Sequence, residues 1–230
     1  MRVLALAVSF LLPLAAAAEI QLESPTTLPA GASFTVSWSG DNNPRDFVTI
    51  VAVATEEGKY GGYKYARKSP LDMLAPEDPG EYEVRYLSNE PPYRTLARAA
   101  LTVIPVSATL QVEATVAAGA ELPVAWTGPD NYHDFITVVA AGTPDGKYGP
   151  YVYASRGSPA ALRAPDETGP YEVRYLTGQK YYTLATAPFT VQATTASLDF
   201  PGTIDAGADF EVRWEGPDNE RDYVAIFPVG

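Results

Sequence analysis

After residue 18 the chain consists largely of short runs in which apolar and polar residues alternate, bounded by Gly, Pro, Asp and Asn. A period of two is the signature of a strand with one buried face, and no stretch of this region sustains a helical period. Phe34, Val36 and Trp38 share one face of one run. Phe47, Thr49 and Val51 alternate with Val48, Ile50 and Ala52, so both faces of that run are fairly apolar, as suits a central strand. Tyr82, Val84 and Tyr86 face one way on a later run, and Glu83 and Arg85 face the other. Runs near 20–23, 33–38, 46–53, 62–66, 71–74, 80–87 and 94–103 predict seven strands, and seven short strands separated by turns predict a two-sheet sandwich.

The pattern repeats. AGASFTVSWSGDNNPRDFVTIV, AGAELPVAWTGPDNYHDFITVV and AGADFEVRWEGPDNERDYVAIF align, with Gly31, Gly119 and Gly207 recurring every 88 residues and Trp38, Trp126 and Trp214 keeping the same step. GKYGGYKYARKSP answers GKYGPYVYASRGSP, and GEYEVRYL answers GPYEVRYL. A unit of this length exceeds the helical repeats of solenoids and is the size of a self-sufficient domain. The expected organisation is a signal peptide at 1–18, one repeat at 19–105, a second at 106–193 and an incomplete third at 194–230. The third copy runs in step to Tyr223–Phe227, the counterpart of the third strand. It is expected not to fold stably alone, leaving Phe210, Trp214, Tyr223 and Phe227 against water. Trp38 and Trp126, with the tyrosines Tyr82 and Tyr171 at the start of the later strand, are expected to be buried.

A Trp on the second strand, with Asp78-Pro79-Gly80-Glu81-Tyr82 leading into a Tyr-x-Val-x-Tyr strand, resembles the immunoglobulin and fibronectin type III sandwiches, in which a tyrosine corner locks that strand. The second copy departs at the acid, reading Glu167-Thr168-Gly169-Pro170-Tyr171. More narrowly, the G-P-D-N-x-x-D-[FY]-[IV] and P-x-x-x-G-x-Y-E-V-R-Y-L segments are similar to immunoglobulin-like repeats of bacterial exported proteins, some of which also carry a von Willebrand factor A domain. The resemblance implies an all-β fold of tandem, seven-stranded, Ig-like sandwiches, the third truncated. The D-x-S-x-S motif of the A domain is not present, so no cation-dependent adhesion carries over to any residue here.

Composition narrows the partners. Hydrophobic residues make up 46% and charged residues 19% of the chain, enough apolar material to bury cores. Lys and Arg number 16 against 28 Asp and Glu, a net charge of -12, which repels a phosphate backbone and disfavours nucleic acid as a partner. Arg2, the apolar stretch Val3–Leu14 and Ala16-Ala17-Ala18 ahead of Glu19 read as a secretory signal with its cleavage site. A secreted or periplasmic protein follows, with no membrane insertion after cleavage. Cysteine is absent, so the domains are held by packing alone.

Catalytic chemistry finds little support. The one histidine, His133, aligns with Arg45 and Arg221, and an imidazole that catalyses or ligates a metal is not interchangeable with guanidinium. No G-x-S-x-G, H-E-x-x-H, Walker or G-x-G-x-x-G motif occurs, and no cofactor is implied. The loop after the second strand carries Asp46, then Asp130 and Asp134, then Asp222, with an Asn in each copy. Such oxygens suit Ca²⁺, but the loop supplies two or three side-chain donors where calcium takes six or more ligands, and an Asx turn accounts for them as well. Tyrosine is the other enrichment, at 15 residues. Tyr60, Tyr63 and Tyr65 match Tyr148, Tyr151 and Tyr153, and Tyr93 matches Tyr181. These rings either pair across strands for stability or offer contact area to a protein or glycan partner. The reading is a non-enzymatic exported spacer and interaction module of a longer protein. The alternative is an accessory carbohydrate- or cation-binding module serving an enzyme domain outside this chain.

Overall fold

Gly31, Gly119 and Gly207, the residues that mark the repeat, have φ of 77°, 72° and 80°. Each turns the chain through the left-handed region that a Cβ disfavours, so the spacing of these glycines records a backbone requirement. The computed structural model describes residues 19–40, 43–220 and 222–228. The signal-peptide segment at 1–18 lies outside the described residues, as do Asp41, Asn42 and Arg221.

The first copy forms β1 (Gln21–Glu23), β2 (Thr27–Pro29), β3 (Ser33–Ser39), β4 (Phe47–Ala52), β5 (Tyr63–Tyr65), β6 (Leu71–Leu74), β7 (Gly80–Leu87) and β8 (Thr95–Ile104). The second forms β9 (Thr109–Gln111), β10 (Thr115–Ala117), β11 (Glu121–Thr127), β12 (Phe135–Ala140), β13 (Tyr151–Tyr153), β14 (Ala160–Arg163), β15 (Gly169–Leu176) and β16 (Thr183–Gln192). Their sheets have the orders β1-β3-β6 with β2-β8-β7-β4-β5, and β9-β11-β14 with β10-β16-β15-β12-β13. A three-strand sheet opposite a sheet in which the last strand lies beside β7 or β15, and that strand in turn beside β4 or β12, is the immunoglobulin-like arrangement. The fold is all-β and Ig-like as expected, with eight strands per copy in place of seven. The run expected near 20–23 is β1, and the additional strand, β2 or β10, joins the other sheet, where β10 pairs in parallel with β16 through Thr115↔Thr190 and Val116↔Val191. No described helix is long and apolar enough to cross a membrane.

The chain divides into two units. Among described residues, one takes those up to Thr26, Phe34–Met73 and Glu81–Thr102, and the other takes Thr27–Ser33, Leu74–Gly80 and the residues from Val103 onward. In the first, Phe34, Val36, Trp38, Val48, Val84 and Tyr86 are buried, with the Trp38 and Tyr86 rings 5.6 Å apart, edge to face. In the second, Leu122, Val124, Ile136, Val138, Val173, Tyr175 and Phe189 form the main core.

Two expectations about burial need correction. Trp126 is half-buried, because its indole lies at the margin of that core and donates Nε1–H to the Gly157 carbonyl at 3.1 Å. Tyr82 and Tyr171 are also half-buried, since they stand at the ends of β7 and β15 opposite Ala52 and Ala140. The wholly buried tyrosines are Tyr86 and Tyr175, four residues on.

The second unit also draws in the turn around Glu77. This buried carboxylate accepts from Thr177 Oγ1 at 2.8 Å and from the amides of Gln179 and Lys180 at 2.9 and 2.8 Å. Three donors satisfy an anion that burial would otherwise penalise. In the third copy β17 (Ser197–Asp199) pairs with β18 (Arg213–Glu215), while Tyr223–Phe227 has no strand conformation. Trp214, Tyr223 and Phe227 face water, and Phe210 is half-buried.

Candidate functional site

Pairing places the tyrosines before any question of binding arises. Val48 and Ile50 of β4 lie opposite Tyr86 and Val84 of β7, which makes that face the core side. Phe47, Thr49 and Val51 therefore point to the outer side of the five-stranded sheet, with Leu87, Arg85 and Glu83 opposite them. On the other flank Phe47 and Thr49 pair with Tyr65 and Tyr63 of β5. Phe47 and Thr49 are nonetheless buried, at 4% and 0% exposure. The cover is the connection from β4 to β5, which folds back over the outer face.

Arg85 fastens that cover. Its guanidinium donates to the Thr55 and Glu56 carbonyls at 2.7 and 3.0 Å and pairs with Glu83 at 2.7 Å. Thr49 Oγ1 donates to the Gly62 carbonyl at 2.9 Å. The second copy is the same: Arg174 reaches the Thr143 and Pro144 carbonyls and Glu172, and Thr137 Oγ1 reaches the Pro150 carbonyl. Glu83 and Arg85 look like an ordinary solvated face in the alternation, yet Arg85 is buried. The signal that could have found them is the apolar character of both faces of β4, which implies a second, smaller cluster beneath a loop.

Over Phe47 the rings of Tyr60, Tyr63 and Tyr93 stand at 4.8, 5.0 and 6.0 Å, and Tyr63 meets Tyr65 at 5.4 Å. Over Phe135 the rings of Tyr148, Tyr151 and Tyr181 stand at 5.2, 5.1 and 5.9 Å, and Tyr151 meets Tyr153 at 5.3 Å. Most contacts are edge-to-face or steeply tilted, a geometry in which each pair contributes about 0.5–1.5 kcal/mol beyond burial. Tyr60, Tyr63, Tyr65, Tyr148 and Tyr151 remain between 40% and 48% exposed, and Tyr153 is half-buried. All six expected tyrosines thus come together in two like clusters. The hubs Phe47 and Phe135 and the partners Tyr93 and Tyr181 belong to the same clusters. Tyr93 and Tyr181 hold φ of 59° and 60°, a left-handed conformation that costs a bulky residue on the order of 1–3 kcal/mol.

Electrostatics among the rings are distinctive. The Tyr63 phenol is held above the usual tyrosine range, first by its hydrogen bond with Tyr65, and Tyr153 likewise by Tyr151. Tyr60 is raised chiefly by loss of solvation. In the first copy the rings border a surface depression of about 400 Å³ that Pro44, Arg45, Arg67 and Asn89 complete. Arg67 lies 5.4 Å from the Tyr65 ring centre. In the second copy His133 is exposed, stacked on Tyr132 at 3.8 Å and beside Tyr153 at 5.3 Å.

The loop carboxylates are engaged by the protein. Asp46, buried, accepts from the amides of Asn43 and Asn89 at 3.2 and 3.0 Å. Asp134, also buried, accepts from the Asn131 and Gly178 amides at 3.0 and 2.9 Å and from the Tyr175 hydroxyl at 3.0 Å. Asp222 accepts from the Asn219 amide at 3.0 Å. Asp130 sits in the left-handed region at φ 49° and its amide donates to Tyr175 Oη at 3.0 Å. The recurring Asn side chains are occupied too, Asn131 donating to the Ala30 carbonyl at 2.8 Å and Asn219 to the Ala118 carbonyl at 3.1 Å. Among the described residues of this loop the bond from the Arg45 amide to Asn43 Oδ1, at 3.1 Å, has the two-residue span of an Asx turn, while the carboxylates accept from an amide three residues earlier or from distant segments.

No protein-family model and no curated protein matches the sequence. Among solved structures, the fibronectin(III)-like modules of Clostridium thermocellum CbhA are 12% identical, with 76% of this chain and 93% of that one covered and a TM-score of 0.32. SGBP-B of the Bacteroides ovatus mixed-linkage glucan utilization locus, in complex with a mixed-linkage heptasaccharide, is 13% identical over 80% of this chain and 49% of that one, with a TM-score of 0.27. The ICAM-5 D1-D4 ectodomain fragment is 14% identical over 79% and 55%, with a TM-score of 0.25. Likenesses this loose add nothing to what the strand order already establishes.

Proposed function

We propose that the chain is a non-enzymatic, exported spacer and interaction module whose contact surface is the outer-face tyrosine cluster. The observation that carries this reading is the duplication of the cluster: the same half-exposed rings stand over the same buried Phe in both full copies. Tyrosine supplies large, rigid and amphipathic contact area at low entropic cost, which is what a binding surface uses. The left-handed Tyr93 and Tyr181 add to the case, because backbone strain concentrates at working sites. Export rests on the signal-like pattern of residues 1–18. A cation-binding role has less support, since Asp46 and Asp134 direct their oxygens to N–H and O–H donors.

The test is a printed array of glycans and extracellular proteins probed with the whole chain and with a Tyr63→Ser/Tyr151→Ser variant. The reading expects spots bound by the whole chain to be lost with the variant at unchanged circular dichroism. Spots retained at full strength by the variant would refute it.

A further inference from the structure

On the reading that the tyrosine cluster is a contact surface, we infer that its first copy is a subsite for an acidic polysaccharide. Arg45 and Arg67 receive a sugar carboxylate there, and the Tyr63 and Tyr65 rings stack on pyranose faces.

The first support is electrostatic. The net charge of -12 opposes a polyanion over the chain as a whole, so a subsite for one has to be local, built from guanidinium groups whose charge no neighbouring carboxylate cancels. Arg85, Arg98, Arg163 and Arg174 all make ion pairs. Arg45 and Arg67, like Arg94 and Arg156, are exposed and make none among the described residues; what sets Arg45 and Arg67 apart is that both line the same depression. A guanidinium presents a rigid fork of donors that matches a carboxylate in two parallel bonds, so two open forks in one concavity select an anion of that shape.

The second support is size and surface. The depression, about 400 Å³, sits at the lower end of the range for small-ligand sites, roughly 300–1,000 Å³. A stable protein partner would instead occupy roughly 800 Å² on each side. Tyr63 and Tyr65 are each 45% exposed, with Arg67 over one face of Tyr65, and the negative face of an aromatic ring attracts the polarised axial C–H groups of a pyranose. The carboxylate of a uronic acid then lies within the same ligand as the stacking face, which a flexible acidic peptide does not offer.

The third support is repetition. The same arrangement of rings recurs over Phe135 in the second copy. The second cluster carries His133 where the first carries Arg45, so the first is the more selective for negative charge.

The experiment is calorimetric titration of the whole chain with hexagalacturonate, and with cellohexaose as the neutral probe, at low and at physiological salt. Hexagalacturonate is expected to bind in preference, more weakly as salt rises. An Arg45→Gln/Arg67→Gln variant should lose about tenfold or more of that affinity, as expected for charge-assisted bonds. Its melting temperature should not change, because both side chains are exposed. Tyr63→Ser should weaken both probes. Equal binding of cellohexaose with no effect of the arginine variant would overturn the acidic class and leave the tyrosine surface standing. Hexagalacturonate binding unaffected by either variant would overturn both. Failure of hexagalacturonate to bind overturns the inference, and if poly-glutamate then binds through the arginines the contact surface belongs to an acidic peptide.

Discussion

The Tyr175 hydroxyl donates to Asp134 Oδ2 at 3.0 Å, inside the second copy, tying β15 to the turn that leads into β12. The same hydroxyl accepts the Asp130 amide at 3.0 Å, so one ring organises the whole loop. Gly128 admits the ring: a Cβ there would lie 2.8 Å from Tyr175 Cε2. Tyr175→Phe removes a donor from a buried carboxylate and is expected to cost about 1–3 kcal/mol in chemical denaturation. An unchanged midpoint would mean that the bond does not hold the turn.

Asp134 also sets a pH dependence. Burial raises its carboxyl above the ordinary range, and the bonds from Tyr175, Asn131 and Gly178 only partly offset this. The folded chain therefore holds the proton more tightly than the unfolded chain. That contribution to stability is fully present below the unfolded value and is lost as pH rises through the folded one. Thermal melts across that window should show a falling contribution that Asp134→Asn abolishes, and identical pH profiles for the two proteins would contradict the assignment.

Arg174 is the clamp of the second copy, and losing it strands Glu172 beside a connection without donors. Arg174→Met is expected to destabilise by about 3 kcal/mol, the lower end for breaking a buried pair, since Glu172 keeps some access to water. Hydrogen exchange should speed up first in the segment from Ala141 to Pro150. Protection unchanged there, with loss elsewhere, would show that the guanidinium serves another element.

The phenols offer a spectroscopic handle. Tyr63 and Tyr153 are held high by their hydrogen bonds with Tyr65 and Tyr151, which favour the protonated phenol. Ultraviolet titration should find late-ionising tyrosines, and Tyr65→Phe should bring Tyr63 back toward its ordinary value. The stability that these protonated phenols contribute is present at neutral pH and lost as pH rises through the folded values. Titration of every exposed tyrosine at its ordinary value would contradict the cluster.

Much of this was legible from alternation and repetition. The 88-residue step, the Trp positions and the central apolar strand all correspond to observed elements. The strand β2 was not legible, because three residues carry too few positions for a period to register. Nor was the role of Glu83 and Arg85, whose alternation with Tyr82, Val84 and Tyr86 is the same whether the outer face meets water or a folded-back loop. Tyr63 and Tyr65 were visible as a pair on one face, but their hub, Phe47, is identified only by the pairing of β4 with β5. Trp126 shows the limit of assigning burial by alignment. Its half-buried position places Trp126→Ala near the lower end of the ~3–5 kcal/mol range, with Trp38→Ala above it.

The most direct measurement is a nuclear magnetic resonance titration of the whole chain, labelled on its tyrosine rings, with a ligand returned by the array. The account predicts that the resonances of Tyr60, Tyr63, Tyr65, Tyr148 and Tyr151 shift or broaden while those of the buried Tyr86 and Tyr175 stay in place. Perturbation confined to other tyrosines, such as the exposed Tyr223, with the two clusters unmoved, would contradict it.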